Sequence, residues 1–237
     1  MPNSTGSIPV VVICFNNHVL VEHTISQLRG LEVNNIIVID NASTWDDTQS
    51  WLSSACGFEL IANKKNYGHK CWLQPDVFNK LPNFFCVTDP DLLFNPSHPA
   101  NFLEILLERS LSTQAQRVGF ALDISDGDLM FQDRDYHKGC SIVEWEGQFW
   151  RQRVSHPTLD VYFARIDTTF HLFSKLGKWQ IHLRLGGDFT AKHLPWYLND
   201  PVFGHKVMLE VSSRSTHIST ISKLRLRYQS QLESLLR

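Results

Sequence analysis

FFCVTDPDLLFNP (residues 84–96) runs apolar from Phe84 to Val87, stops at two aspartates flanking Pro90, and turns apolar again at Leu92. An unbroken apolar run closed by a polar turn is the pattern of a strand covered on both faces. Upstream, PVVVICF (9–15), NNIIVID (34–40) and FELIAN (58–63) have the same form. Between them, NNHVLVEHTISQLRG (16–30) places Leu20, Val21, Thr24, Ile25 and Leu28 at helical spacing and ends at Gly30. NASTWDDTQSWLSSACG (41–57) opens with Ser43 and Thr44 as caps and carries Asp46 and Asp47 in its first turn. NYGHKCWLQPDVFNKLP (66–82) reads as a turn and a broken helix. Residue 84 therefore opens the fourth strand of a β-α-β-α-β-α-β series. That series predicts an α/β fold, a Rossmann-like and mostly parallel central sheet flanked by helices.

Ligands of such sheets bind beyond the carboxyl ends of the strands. Each predicted strand ends in a polar group, Asn16, Asp40, Asn63 and Asp89 in turn. The first strand-to-helix turn, CFNNH, lacks the glycines of a dinucleotide fingerprint, and no phosphate-loop lysine motif is present. Asp89 and Asp91 stand two residues apart, a spacing that turns both carboxylates to one side of extended backbone. Two oxygen ligands with an incomplete shell suit Mg²⁺ or Mn²⁺, the other positions falling to phosphate oxygens and water.

With 237 residues, 43% hydrophobic and 19% charged, the chain can bury one large domain or a core with a smaller annex. A formal net charge of -2 argues against a nucleic-acid partner held by phosphate neutralisation. Cys14, Cys56, Cys71, Cys86 and Cys140 are scattered without a paired motif, as expected for free thiols in a reducing compartment. The N-terminal residues lack a basic region and a long apolar run, and no stretch reaches membrane-span length, so a cytoplasmic protein is expected.

Further along, NFLEILLERSLS (101–112) is an amphipathic helix and RVGFALDIS (117–125) a strand. Residues 126–165 are irregular, with Trp145, Phe149, Trp150 and Tyr162 among them. IDTTFHLFSKLG (166–177) reads as a helix ending at Gly177, and WQIHLRL (179–185) as a strand. From 217 to 237 an apolar stripe (Ile218, Ile221, Leu224, Tyr228, Leu232, Leu235) carries Lys223, Arg225, Arg227 and Arg237 on its surface. Such a helix suits packing or oligomer formation, or peripheral contact with an anionic membrane.

The succession PVVVICFNN, IIVIDNAST, NYGHKCW, FFCVTDPDLLF resembles the family 2 glycosyltransferases of the GT-A fold. The resemblance implies a nucleotide-sugar half (1–98), an acceptor and catalytic half of the same domain (99–213), and the C-terminal amphipathic helix (214–237). It implies a nucleotide-sugar donor, a UDP-sugar first, bound near Phe15, Asn16, Asp40 and Asn41. Asn66 and Gly68 would turn beneath it, with Lys70 near its phosphates and Trp196, beside His193, in the donor or acceptor pocket. Asp89 and Asp91 would hold the metal and diphosphate, and His193 in AKHLPWY would complete the metal shell. YFARIDTTFHLFSKLGKWQIHL (162–183) matches the family's acidic acceptor-side segment more loosely, with Ala164 and Arg165 in place of its Glu-Asp pair. Asp167 is then the first candidate for the catalytic base, Glu144 and Glu146 in VEWEGQFW the next, and Asp160 a fainter one.

The implied reaction is inverting transfer to a hydroxyl of a glycan or lipid-linked glycan, in bacterial surface polysaccharide synthesis. The rivals are a sugar-nucleotide nucleotidylyltransferase, whose glycine-rich basic loop CFNNHVL lacks, and a non-catalytic nucleotide-sugar or glycan-binding module. A haloacid-dehalogenase-type phosphatase would carry its paired aspartates on the first strand.

Overall fold

The structure is a computed structural model that describes residues 8–134, 136–167, 169–214, 223, 225 and 226. The first half follows the sequence pattern closely. Strands β1 (Val10–Cys14), β2 (Ile36–Asp40), β3 (Glu59–Ala62) and β4 (Phe84–Thr88) run parallel in the order β3-β2-β1-β4. Helix α1 (His18–Gly30) buries Leu20, Val21, Thr24, Ile25 and Leu28, the same five residues that carry the helical spacing. Each such apolar side chain contributes about 1.5–3 kcal/mol relative to exposure. Val10 and Val12 pack in the core cluster that contains Val21 and Leu28. Val11 and Ile13 pack on Trp72, Phe85 and Phe173 instead, so β1 is dry on both faces. Register sets Cys14 beside Asp40 and Val12 beside Thr88, which brings the ends of β1, β2 and β4 to one rim.

Helix α2 (Asp46–Ser54) and a short α3 (Pro75–Phe78) complete the first half. The expected Ser43/Thr44 cap of α2 is not formed: the N-cap residue is Trp45, with no side-chain cap bond. Asn16 replaces it from across the rim, its Oδ1 accepting the Thr44 and Trp45 N–H groups at 2.8 and 3.0 Å.

The second half extends the same sheet. After β5 (Leu92–Phe94) and α4 (Phe102–Thr113), β6 (Ala115–Leu122) runs parallel to the long β10 (Lys178–His193). Residues 166–177 are not the expected helix. They contain β9 (His171–Ser174), wedged antiparallel between β4 and β6. All four of its residues are buried, and a short run buried on both faces does not distinguish helix from strand by period. Gly119 makes the wedge possible: a Cβ there would lie 2.4 Å from the Phe170 carbonyl and 2.5 Å from the His171 Cβ.

Residues 126–165 are more ordered than their sequence suggests. They form α5 (Ile142–Gly147), β7 (Arg153–Val154) and β8 (Val161–Phe163), with β8 and β7 extending the sheet beyond β10. Helix α6 (Gly204–Ser213) follows β10.

The stripe from Ile218 to Leu235 lies outside the described residues. Arg225, expected on the surface, is 1% exposed. Its guanidinium donates to the Pro195 and Tyr197 carbonyls at 3.0 and 2.7 Å, partners that offset its burial. Among the described residues, no helix is long and apolar enough to cross a membrane.

Candidate active site

The Asp-Pro-Asp turn at the end of β4 is clamped from behind by α1. Thr24 donates its hydroxyl to the Pro90 carbonyl at 2.7 Å, and Gln27 donates to the Leu92 carbonyl at 2.9 Å while accepting from the Phe94 N–H. The β5–β10 ladder pairs Leu92 with His193. That register delivers His193 Nε2 to 3.6 Å from Asp91 Oδ2, across 102 positions of sequence (193 minus 91).

Asp91 Oδ1 and His193 Nδ1 are buried without a hydrogen-bond partner. Burial, then the charges of Asp91 and Asp167, push Asp89 well above the ordinary carboxylate range. Burial holds His193 below its ordinary value in spite of Asp91, which favours the neutral imidazole. Crowded carboxylates, an orphaned oxygen and a neutral histidine fit a divalent cation. Among the described residues, no three His, Cys, Asp or Glu side chains are grouped so as to hold a metal alone. A bound cation would take its other ligands from substrate and water, as Mg²⁺ and Mn²⁺ do at phosphate sites.

On the donor side, Phe15 is half-buried directly after β1. Asp40 closes β2, its Oδ1 accepting the Ser43 N–H at 2.9 Å. Asn16 and Asn41 serve the scaffold. Asn16, 1% exposed, accepts from Thr44 and Trp45 and donates to Thr44 Oγ1 and the Arg214 carbonyl. Asn41 donates to Asn66 Oδ1 and the Gly68 carbonyl, and accepts from Asn63 Nδ2 and the Tyr67 N–H. With their amides so engaged, both residues shape loops and have little left for a nucleotide. Gly68 has φ +73 and open space around its missing Cβ, so the Asn66–Gly68 turn leaves backbone accessible. Trp196, 2% exposed, donates its indole N–H to Tyr136 Oη at 3.1 Å and lies edge-on to His193. It backs the histidine and offers no open face for a sugar.

On the other side, Asp167 is exposed, its Oδ1 3.9 Å from His69 Nε2. Its charge is felt by Asp89. With β9 in place of a helix over 166–177, Asp167 has no helix of that segment to cap. Glu144 spends its carboxylate on the Ser141 N–H in a capping box at the start of α5. Glu146 is buried in an ion pair with Arg184, and burial pushes it up to about 7 despite that partner. Asp160 is ion-paired with Arg153. Lys70 is part of the wall of a cavity of about 320 Å³, with Arg117, Arg165, Asp167, Trp179 and His182.

Sequence reading missed Arg117, Arg165 and His182 at this cavity, and Tyr136 beside Trp196. The capping box Ser141-x-x-Glu144 was a legible signal for α5; the cavity residues lie on β6, on β10 and in the loop after β8, and have no local signal.

No family model matches the chain, and no curated protein does. Among solved structures, similarity is found to a mannosyltransferase from Pyrobaculum calidifontis in complex with GDP-Man and Mn²⁺. Identity is 14% and TM-score 0.48, over 95% of this chain and 69% of that one. TarS 1–349 of S. aureus is similar at 11% identity and TM-score 0.44, over 87% of this chain and 64% of that one. HddC of Yersinia pseudotuberculosis is similar at 12% identity and TM-score 0.42, over 71% and 77%. These are loose likenesses of architecture. The chain spans 69% and 64% of the first two.

Proposed function

We propose that this chain is a metal-dependent glycosyltransferase of the GT-A kind, moving a sugar from a nucleotide-sugar to a hydroxyl with inversion. The reading is carried by the crowded pair Asp89 and Asp91 at the end of a central parallel strand, with Asp91 Oδ1 unpartnered and His193 Nε2 3.6 Å from Asp91. When bound, Mn²⁺ or Mg²⁺ neutralises the diphosphate as it leaves. Asp91 and neutral His193 would supply protein ligands to that cation, with Asp89 beside them and substrate and water completing the shell. Phe15, Asp40 and the Asn66–Gly68 turn would line the nucleotide, placed by the Asn16 and Asn41 hydrogen bonds. Asp167, exposed and outside any buried ion pair, would accept the proton of the attacking hydroxyl. Glu144 and Glu146 are committed to the α5 cap and to Arg184, which leaves Asp167 as the base.

The experiment is release of nucleoside diphosphate from a panel of nucleotide-sugars, UDP-sugars first, with Mn²⁺ or with EDTA. The expected result is metal-dependent turnover that falls at least about 100-fold in Asp91→Asn, the scale on which electrostatic stabilisers act. Turnover unaffected by EDTA, or by Asp91→Asn, refutes the assignment.

A further inference from the structure

The cavity that Asp167 shares with Lys70, Arg117 and Arg165 is strongly cationic for a chain of net charge -2. Among the described residues, none of its three cations has a carboxylate oxygen within 4.0 Å. Asp167, the cavity's one acidic group, is turned to His69. Arg117 lies over the Trp72 and Phe173 rings and gives Nη1 to the Ile166 carbonyl at 3.0 Å, while its buried Nε has no partner. Arg165 projects from a loop held in place by the Arg184 Nε–Arg165 carbonyl bond at 2.8 Å. Burial and Arg117 push His182 down to about 4, so it adds no positive charge at neutral pH.

Three cations gathered around a small cavity that holds a single carboxylate leave an excess of positive charge, which is costly unless a further anion joins them. Phe163 and Trp179, 42% and 76% exposed, add apolar faces of the kind that stack on sugar rings. The cavity is set apart from the residues assigned to the donor: Phe15, Asp40 and Asn66 do not line it, and its walls come from the N-terminal parts of β6 and β10, the end of β8 and the loop after it, with Lys70 reaching in from the turn after Gly68.

We infer that the acceptor is an acidic glycan, whose carboxylate or phosphate group is held by Arg117, Arg165 and Lys70 while Asp167 faces the hydroxyl to be glycosylated. This rests on the reading of Asp167 as the base. Bidentate arginine contacts to a carboxylate or phosphate are among the stronger polar contacts, and two arginines favour a planar or tetrahedral oxyanion over a neutral hydroxyl.

The test titrates the full chain with glucose, glucuronate and glucose 6-phosphate, following tryptophan fluorescence with Trp179→Phe as the control for signal from the cavity. UDP with Mn²⁺ is titrated in parallel. At least one acidic sugar is expected to bind about tenfold or more tightly than glucose, a difference that salt erodes. Glucuronate alone would identify a carboxylate, glucose 6-phosphate alone a phosphate. Arg165→Glu is expected to abolish that preference and Arg165→Lys to retain part of it, with UDP–Mn²⁺ affinity unchanged in both. Equal binding of glucose, or an unaffected preference in Arg165→Glu, overturns the inference. So does loss of UDP–Mn²⁺ binding in Arg165→Glu, which would give the cavity to the donor. Acidic sugars binding to a wild-type protein that ignores UDP–Mn²⁺ would overturn the glycosyltransferase reading, and the acceptor assignment with it, leaving an anion site of another purpose.

Discussion

Asn16→Ala tests whether the rim of the sheet is held together by one side chain. Asn16 has φ 55, a left-handed conformation that asparagine tolerates and alanine resists. The substitution removes acceptors for the Thr44 and Trp45 N–H groups at 2.8 and 3.0 Å. It also removes donors to Thr44 Oγ1 and the Arg214 carbonyl at 3.3 and 3.2 Å. At about 1 kcal/mol net per bond, and with water recovering part of the loss at exposed Thr44 and Trp45, the bonds sum to about 2–3 kcal/mol. Left-handed alanine adds about 1–2 kcal/mol. The total of about 3–5 kcal/mol corresponds, in a chain of this size, to a Tm lower by roughly 8–15 °C. Asn16→Gly keeps the backbone freedom and is expected to recover up to about 1 kcal/mol of that. The assay is thermal unfolding followed by circular dichroism, with UDP–Mn²⁺ affinity measured on the folded protein. A Tm within about 2 °C of wild type, with nucleotide affinity nonetheless lost, refutes the scaffold role and returns Asn16 to direct ligand contact.

Three further expectations follow from the geometry. Glu146→Gln should destabilise by about 3–5 kcal/mol in urea unfolding because it leaves the Arg184 guanidinium buried without its counter-charge, whereas Glu146→Leu with Arg184→Met should recover most of the loss. His171 is pushed down to about 3 by burial and then by Arg117, against an ordinary 6.5, so the unfolded chain takes up its proton first as pH falls. Stability is therefore lost below about pH 6.5, by about 2 kcal/mol at pH 5 for this group, and His171→Phe should flatten that acid limb in unfolding curves collected between pH 7 and 5. Asp167→Asn should abolish transfer to an acceptor while leaving UDP–Mn²⁺ affinity unchanged; a variant that still transfers would remove Asp167 as the base.

The first half was legible because its strands and helices announce themselves locally. β1, β2 and β4 are unbroken apolar runs, α1 carries its stripe at helical spacing, and the carboxylate pair sits where a parallel strand must end. β9 was not legible: His171-Leu172-Phe173-Ser174 carries no polar face, and only Gly119 on another strand makes room for it. The asparagines carry contacts of another kind that sequence could not show. Asn16 and Asn41 stand at the strand ends where ligand groups belong, but their amides bridge loops that sequence cannot bring together.

By itself the sequence determined the parallel half-sheet, the polar groups along its rim and the Asp89–Asp91 pair, because these depend on periodicity and on spacings of a few residues. Tertiary structure alone decided that His193 reaches Asp91, that Glu146 is spent on Arg184, and that Arg117 and Arg165 share a cavity with Asp167. Each of these depends on strand register or order between segments tens of residues apart, and a change of one position in register would turn the side chain to the other face of the sheet.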